Sequence, residues 1–189
     1  MKKMNPKEIL IPAVSLFIIC LVVTALLGVT NKITSPMIAE RAKANEVKAR
    51  QTVLASAESF SEPKEIALGD KTYTYYDGMQ GENLTGYVFT TSAKGYGDEV
   101  VVMVGIDQDG VITGMEFLNL AETAGLGMNA KKPDFMQQFV GKSGTINVVK
   151  SDPKETDIQA LTGATITSKA VTSAVNTALD LYKEVKSNG

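Results

Sequence analysis

The chain opens on a long apolar run and then changes its hydrophobic period twice. Ile9 to Val29 is 21 residues without a charge. At the rise of an α-helix such a run crosses a hydrocarbon core of roughly 30 Å. Pro12 lies near its start, where a helix tolerates it. The run exceeds the apolar core of a typical signal peptide, and Leu26-Leu27-Gly28-Val29 lacks a clear small-x-small cleavage signal. It reads as a retained membrane helix, with a cleaved signal peptide as the alternative. From Thr34 to about Ser59, Ile38, Ala42, Val47 and Val53-Leu54 make a loose apolar stripe among Glu40, Arg41, Lys43, Glu46, Lys48 and Arg50. This predicts a second, connecting helix with a solvated charged face.

Beyond residue 70 the signals are those of strands. Thr72 to Tyr76 is β-prone and leads into an expected turn at Asp77-Gly78. Leu84 to Thr91 and Glu99 to Ile106 are further strand candidates. Asp107-Gln108-Asp109-Gly110 reads as a hairpin turn into Val111 to Leu120. Asp107 and Asp109 lack the downstream ligand spacing of a calcium loop. Pro133 to Val140 suggests a short helix, Ile146 to Lys150 a short strand, and Asp152 to Asp157 a polar connection. From Ile166 to Val185 the apolar positions Ala170, Val171, Ala174, Val175, Ala178, Leu181, Tyr182 and Val185 recur at helical spacing. The pattern predicts an α+β domain, an antiparallel sheet packed by helices, rather than a βαβ series.

Charge gives the apolar run a direction. Lys2, Lys3 and Lys7 precede it and Lys32 follows, so the positive-inside bias places the N-terminus in the cytoplasm and the main domain outside it. Beyond residue 32 the chain carries 15 basic and 20 acidic side chains, which disfavours nucleic acid. The sequence has no histidine and one cysteine, Cys20, inside the apolar run. A His-ligated haem, a self-contained iron–sulfur cluster, a Cys/His zinc site, an intramolecular disulfide and a His-based triad are therefore excluded within this chain. Redox chemistry here requires an organic cofactor. No Gly-x-Gly-x-x-Gly follows a strand, so nothing points to NAD binding by this chain. A single helix without intramembrane charge forms no ion path by itself.

One segment concentrates chemistry. Thr162-Gly163-Ala164-Thr165-Ile166-Thr167-Ser168 sets four hydroxyls around a glycine just before the last helix. Gly163 permits a tight turn, and Thr162 or Thr165 can cap the helix. Free amides at the helix start favour an anion such as phosphate. Read alone, the segment is equally an ordinary capped helix. Glu122-Thr123-Ala124-Gly125-Leu126-Gly127 is a glycine-rich loop after a strand, and Gly95-Tyr96-Gly97 a turn whose tyrosine either covers the core or stacks on a ligand.

Together these stretches resemble the FMN-binding domain family. Over its whole length the chain is similar to the G subunits of Rnf ion-translocating electron transport complexes, with the C subunits of Na+-translocating NADH:quinone reductases as the related alternative. The resemblance implies FMN joined through its phosphate to Thr165, with Thr162, Gly163 and Ala164 shaping the approach and Thr167 and Ser168 bonding the phosphate. It implies a ring pocket from Glu122, Thr123, Gly125, Leu126, Gly127 and Tyr96, with no metal. It further implies neighbouring membrane and peripheral subunits, a bilayer, a flavin transferase for maturation, and electron relay in a translocase that links ferredoxin and NAD to ion movement. Two positions depart from the family pattern: Ala124 stands where proline is frequent, and Gln159 where an acidic residue is frequent, with Asp157 nearby. The expected organisation is an anchor over 1–32 (helix about 9–30), a connecting helix over 33–60 and an FMN-binding domain over 61–189. A membrane-tethered binding module without redox function is the competing class, and a colourless purified protein would mark it.

Overall fold

The computed structural model describes residues 6–188; Lys2 and Lys3, on which part of the charge bias rests, lie outside them. Helix α1 spans Pro6–Val53 and holds both Pro12 and Pro36 in its interior. The two helices expected over 9–30 and 34–59 are thus one element, which ends at Val53 rather than near Ser59. Polar residues at the expected break do not cap. Thr30 and Thr34 send their hydroxyls back to the Leu26 and Thr30 carbonyls, each at 2.9 Å, which leaves the helix to continue. The described residues divide into two compact units between Ala44 and Asn45. In the first, the apolar side chains from Leu10 to Val29 are exposed, and α1 is long and apolar enough to cross a membrane.

The second unit is built on an antiparallel sheet of β1 (Ser59–Phe60), β2 (Lys64–Leu68), β3 (Lys71–Gln80), β4 (Asn83–Lys94), β5 (Glu99–Asp107) and β6 (Ile112–Asn119). β3, β4, β5 and β6 pair in sequence order, and β1 and β2 both pair with β3. A short helix α2 (Pro133–Met136) follows. β7 (Asn147–Val149) and β8 (Asp157–Gln159) then make a separate parallel pair. β1, β2 and β8 are not legible in the hydrophobic pattern. Helix α3 spans Thr165–Asn188.

Strand alternation sends side chains to two covers. On one face Tyr87, Phe89, Val102, Val104 and Ile106 pack against Val171, Ala174, Val175 and Ala178 of α3. Thr91 completes that face, donating its buried hydroxyl to the Ala174 carbonyl at 2.9 Å. On the other face Tyr76, Val88 and Met103 meet Ala49, Val53, Leu54 and Ala57, the end of α1 and the turn after it. Ala49, Val53, Leu54 and Ala57, from the segment expected to be a connector, therefore contribute to the core of the second unit.

This second cover explains a misread turn. Asp77-Gly78 lies inside β3, at a register shift between Gly78 and Met79. A side chain at Gly78 would run into Leu54 Cδ2 and come within 3.0 Å of Ala57 Cβ. The glycine serves close packing, not a turn. The Asp107 hairpin forms where the sequence places it. Asp107 Oδ1 accepts from the amides of Asp109 and Val111, both at 2.9 Å, so its carboxylate holds the turn.

Candidate functional site

Three loops meet at one end of the second unit. Gly95–Gly97 joins β4 to β5, Glu122–Gly127 follows β6, and Thr162–Ser168 enters α3. They are held by one carboxylate. Glu122 Oε1 accepts from the amides of Tyr96 at 2.8 Å and Gly97 at 3.2 Å. Its Oε2 accepts from the Thr167 hydroxyl at 2.9 Å. All three partners donate to it.

The glycines make this convergence possible. A side chain at Gly95 would overlap Glu122 Oε1, and one at Gly97 would overlap the Ala121 carbonyl. At Gly127 an added Cβ would lie 2.6 Å from Thr167 Oγ1 and 2.8 Å from Glu122 Oε2. Gly125 is different: its φ of 77° makes the bend, and the space beside it is open. Asn129 closes that bend by donating from Nδ2 to the Gly125 carbonyl at 2.7 Å. The Thr123 carbonyl accepts from the Leu126 and Met128 amides, both at 3.2 Å.

The start of α3 is uncapped by its threonines. The Ala164 carbonyl accepts the Ser168 amide at 3.0 Å, which puts buried Ala164 at the cap position and Thr165 first in the helix. Neither Thr162 nor Thr165 supplies the expected cap. Ser168 stabilises the turn from inside, accepting the Leu161 amide at 2.9 Å and donating to the Ala164 carbonyl at 3.0 Å. That fully buried hydroxyl is committed to backbone. Alanine offers no side-chain acceptor, so the amides of Thr165, Ile166 and Thr167 keep the free donors of a helix start. Their dipole favours an anion.

The same three loops expose apolar side chains. Thr165 is half-buried, and Thr162 and Gly163 are exposed. Gly163, at φ 75°, turns the chain so that a Cβ on it would sit 3.0 Å from Leu126 Cδ2. Leu126 is 44% exposed, Ile166 55% and Tyr96 69%. Among the described residues from 45 onward, the other exposed large apolar side chains are Val47 and Val140, so most of this exposure sits on the three joined loops. Ile166 and Asn129 escape sequence reasoning as site residues. Ile166 carries a signal, since it lies off the apolar face of its own helix; Asn129 carries none.

The sheet and its covers have counterparts among solved structures. The crystal structure of the C subunit of Na+-translocating NADH-quinone reductase from Parabacteroides distasonis superposes with a TM-score of 0.59 at 19% identity, over 75% of this chain and 92% of that one. Shewanella oneidensis NqrC gives 0.51 at 24% identity, over 63% and 62%. At these identities the likeness is one of fold. Residues 95–180, which contain all three loops, match the FMN-binding domain family, and residues 1–53 match the RnfG N-terminal region.

Relatives extend the match across the chain. The G subunit of the Na+-translocating ferredoxin:NAD+ oxidoreductase complex of Acetobacterium woodii is 38% identical over 186 residues, 90% of this chain and 89% of the relative. The G subunit of the proton-translocating ferredoxin:NAD+ oxidoreductase complex of Clostridium ljungdahlii is 32% identical, over 88% and 87%. The chain belongs to the family of G subunits of ion-translocating ferredoxin:NAD+ oxidoreductase complexes.

Proposed function

We propose that this chain is a single-pass membrane flavoprotein that relays electrons through one FMN esterified by its phosphate to Thr165. The observation that carries the reading is the half-buried Thr165 at the head of a helix whose first three amides have no hydrogen-bond partner among the described residues. Donors and cofactor match: the amides suit the phosphate, while Leu126, Ile166 and Tyr96 offer an apolar surface to a flat ring. Thr162 and Gly163 leave the approach to Thr165 open. Bound FMN supplies electron transfer that this chain, with no histidine and one cysteine, has no other group to perform. Ester formation joins Thr165 Oγ to the flavin phosphorus, breaks that phosphorus from its leaving group and releases the hydroxyl proton. The product exceeds the bare chain by FMN less one water.

The Ile9 to Val29 run holds the protein in the bilayer, N-terminus in the cytoplasm and the FMN-binding domain outside. There it exchanges electrons with other subunits of a ferredoxin:NAD+ oxidoreductase complex, and ion movement belongs to that assembly. A cytoplasm-only reporter fused after Gly189 is expected to be inactive, and activity would reverse the orientation. For the tether, intact mass and in-gel flavin fluorescence after denaturation are compared between wild type and Thr165→Val, each made with a flavin transferase. Wild type is expected to carry one covalent FMN and the valine variant none. Loss of all flavin from denatured wild type, or retention by the variant, overturns the assignment.

A further inference from the structure

Glu122 would ordinarily be assigned to the flavin ring, as an acidic side chain in a loop beside the cofactor. Its bonds give it different work. The half-buried carboxylate turns toward the neighbouring loops and accepts from Tyr96 N, Gly97 N and Thr167 Oγ1 at 2.8, 3.2 and 2.9 Å. These partners lie 26, 25 and 45 residues away along the chain. Each belongs to a segment bearing part of the apolar surface: Tyr96 on the first, Leu126 on Glu122's own loop, Ile166 beside Thr167. Thr167 is itself buried, and its hydroxyl has this carboxylate as acceptor. The close packing at Gly95 and Gly127 leaves little room for another arrangement.

We infer that Glu122 is a positioning residue. It fixes the two loops against the first turn of α3 and thereby sets the seat of the ring, without touching the ring. This rests on the proposed tether but separates two properties of the flavin. Attachment depends on Thr165; immobilisation depends on Glu122 acting through Thr167 and the Tyr96 and Gly97 amides. Charged hydrogen bonds of this kind are the stronger class, and among the described residues no other side-chain hydrogen bond joins these three segments.

Geometry and charge are separable by substitution. In Glu122→Gln the amide oxygen accepts from Tyr96 and Gly97, and the amide nitrogen donates to Thr167 Oγ1, which then acts as acceptor. The bonds persist while the charge is gone. Glu122→Ala removes the bonds and leaves the Thr167 hydroxyl without its acceptor. Thr167→Val removes the third bond at similar volume, and Thr167→Ser restores a hydroxyl.

The test measures fluorescence anisotropy of the covalent flavin and the vibronic structure of its absorption band in the detergent-solubilised full-length chain. Glu122→Ala is expected to keep one covalent FMN by mass. Its anisotropy should fall at least halfway toward that of urea-denatured wild type, with the band structure smoothed. Glu122→Gln and Thr167→Ser should stay near wild type, and Thr167→Val should move toward Glu122→Ala. The double variant Glu122→Ala/Thr167→Val should be no looser than Glu122→Ala alone. A Glu122→Gln flavin as altered as that of Glu122→Ala overturns the positioning role in favour of direct charge on the ring. Unchanged anisotropy in Glu122→Ala overturns it outright.

Hydrogen exchange of the peptide covering Tyr96 and Gly97, in a Thr165→Val background, reads the clamp without flavin. Faster exchange on adding Glu122→Ala but not Glu122→Gln is expected, and equal exchange rejects the clamp even if the tether stands. Wild type lacking covalent flavin would reject the tether, while the exchange result would still decide the clamp. Should Glu122→Ala fail to fold, Thr167→Val decides by the same readouts.

Discussion

Leu54 and Gly78 share one volume, which makes their double substitution a sharp test of the domain's true extent. Leu54 is fully buried, and its Cδ2 fills the space a side chain at Gly78 would need. Leu54→Ala removes that contact and leaves a cavity against Tyr76, Val88 and Met103. Such truncations cost about 2–5 kcal/mol. Gly78→Ala overfills the same place, at a cost of about 1–3 kcal/mol. Acting independently, the two would destabilise by roughly 3–8 kcal/mol together. Because the added methyl enters the hole left by Leu54, the double variant is expected to fall short of that sum by at least ~1 kcal/mol. The assay is thermal melting of the detergent-solubilised chain followed by near-ultraviolet circular dichroism. At about 2–4 °C per kcal/mol, Leu54→Ala lowers Tm by roughly 4–20 °C, and the coupling recovers at least about 2–4 °C relative to additivity. Additive or worse-than-additive losses would refute the shared volume and detach the end of α1 from the core.

Three further outcomes follow from the same contacts. A chain beginning at Asn45 should fold, whereas one beginning at residue 61 should aggregate or melt without a cooperative transition, because it lacks Ala49, Val53, Leu54 and Ala57; a cooperative melt from the shorter chain would contradict this. Ser168→Ala leaves the partly buried Leu161 amide without its acceptor and should destabilise by about 1 kcal/mol, read as a lower Tm; an unchanged Tm would show that bond to be dispensable. Burial first, and then its hydrogen bond to Glu46, hold the Tyr76 hydroxyl above its ordinary value of 10.0. A raised value in the folded state means the native protein favours the neutral phenol, so the stabilisation is whole below about pH 10 and is lost as pH rises through the folded value. Tyr76→Phe should therefore reduce alkaline destabilisation, without abolishing it, since Tyr87 and Tyr182 are shifted the same way; an unaltered alkaline limb would exclude Tyr76.

Long periodic segments are legible in the sequence and close contacts are not. The apolar run to Val29 and the stripe from Ala170 to Val185 extend over several turns and both are helical, although the run continues without a break into the segment read as a second helix. The β4, β5 and β6 strands carry apolar, β-branched and aromatic runs long enough to be found. β1 and β2 are short and largely exposed edge strands, without a buried face to impose alternation. Gly78 reads as a turn because composition alone does not distinguish a glycine that bends the chain from one that admits a neighbour's methyl. The candidate site divides in the same way. Its segments are visible as local clusters, but the bond from Glu122 to Thr167 spans 45 residues. Ala164 at the cap position likewise defeats a rule that expects a hydroxyl there.

The site has two parts with different chain separations, and this allows two orders of events in the biogenesis of the proposed flavoprotein. If Thr165 is the acceptor and the domain is exported, as proposed above, the segment Thr162 to Ser168 is contiguous and complete as soon as those residues leave the translocation channel. The seat closes only when residues 25 to 45 apart come together, and contacts across such loops form late and slowly. A transferase that recognises the short segment can therefore load the chain before it has folded, whereas one that recognises the assembled surface must wait. Pulse-labelled chains sampled during export would separate these schedules: flavin fluorescence appearing ahead of protease resistance marks loading before folding, and the reverse marks folding first.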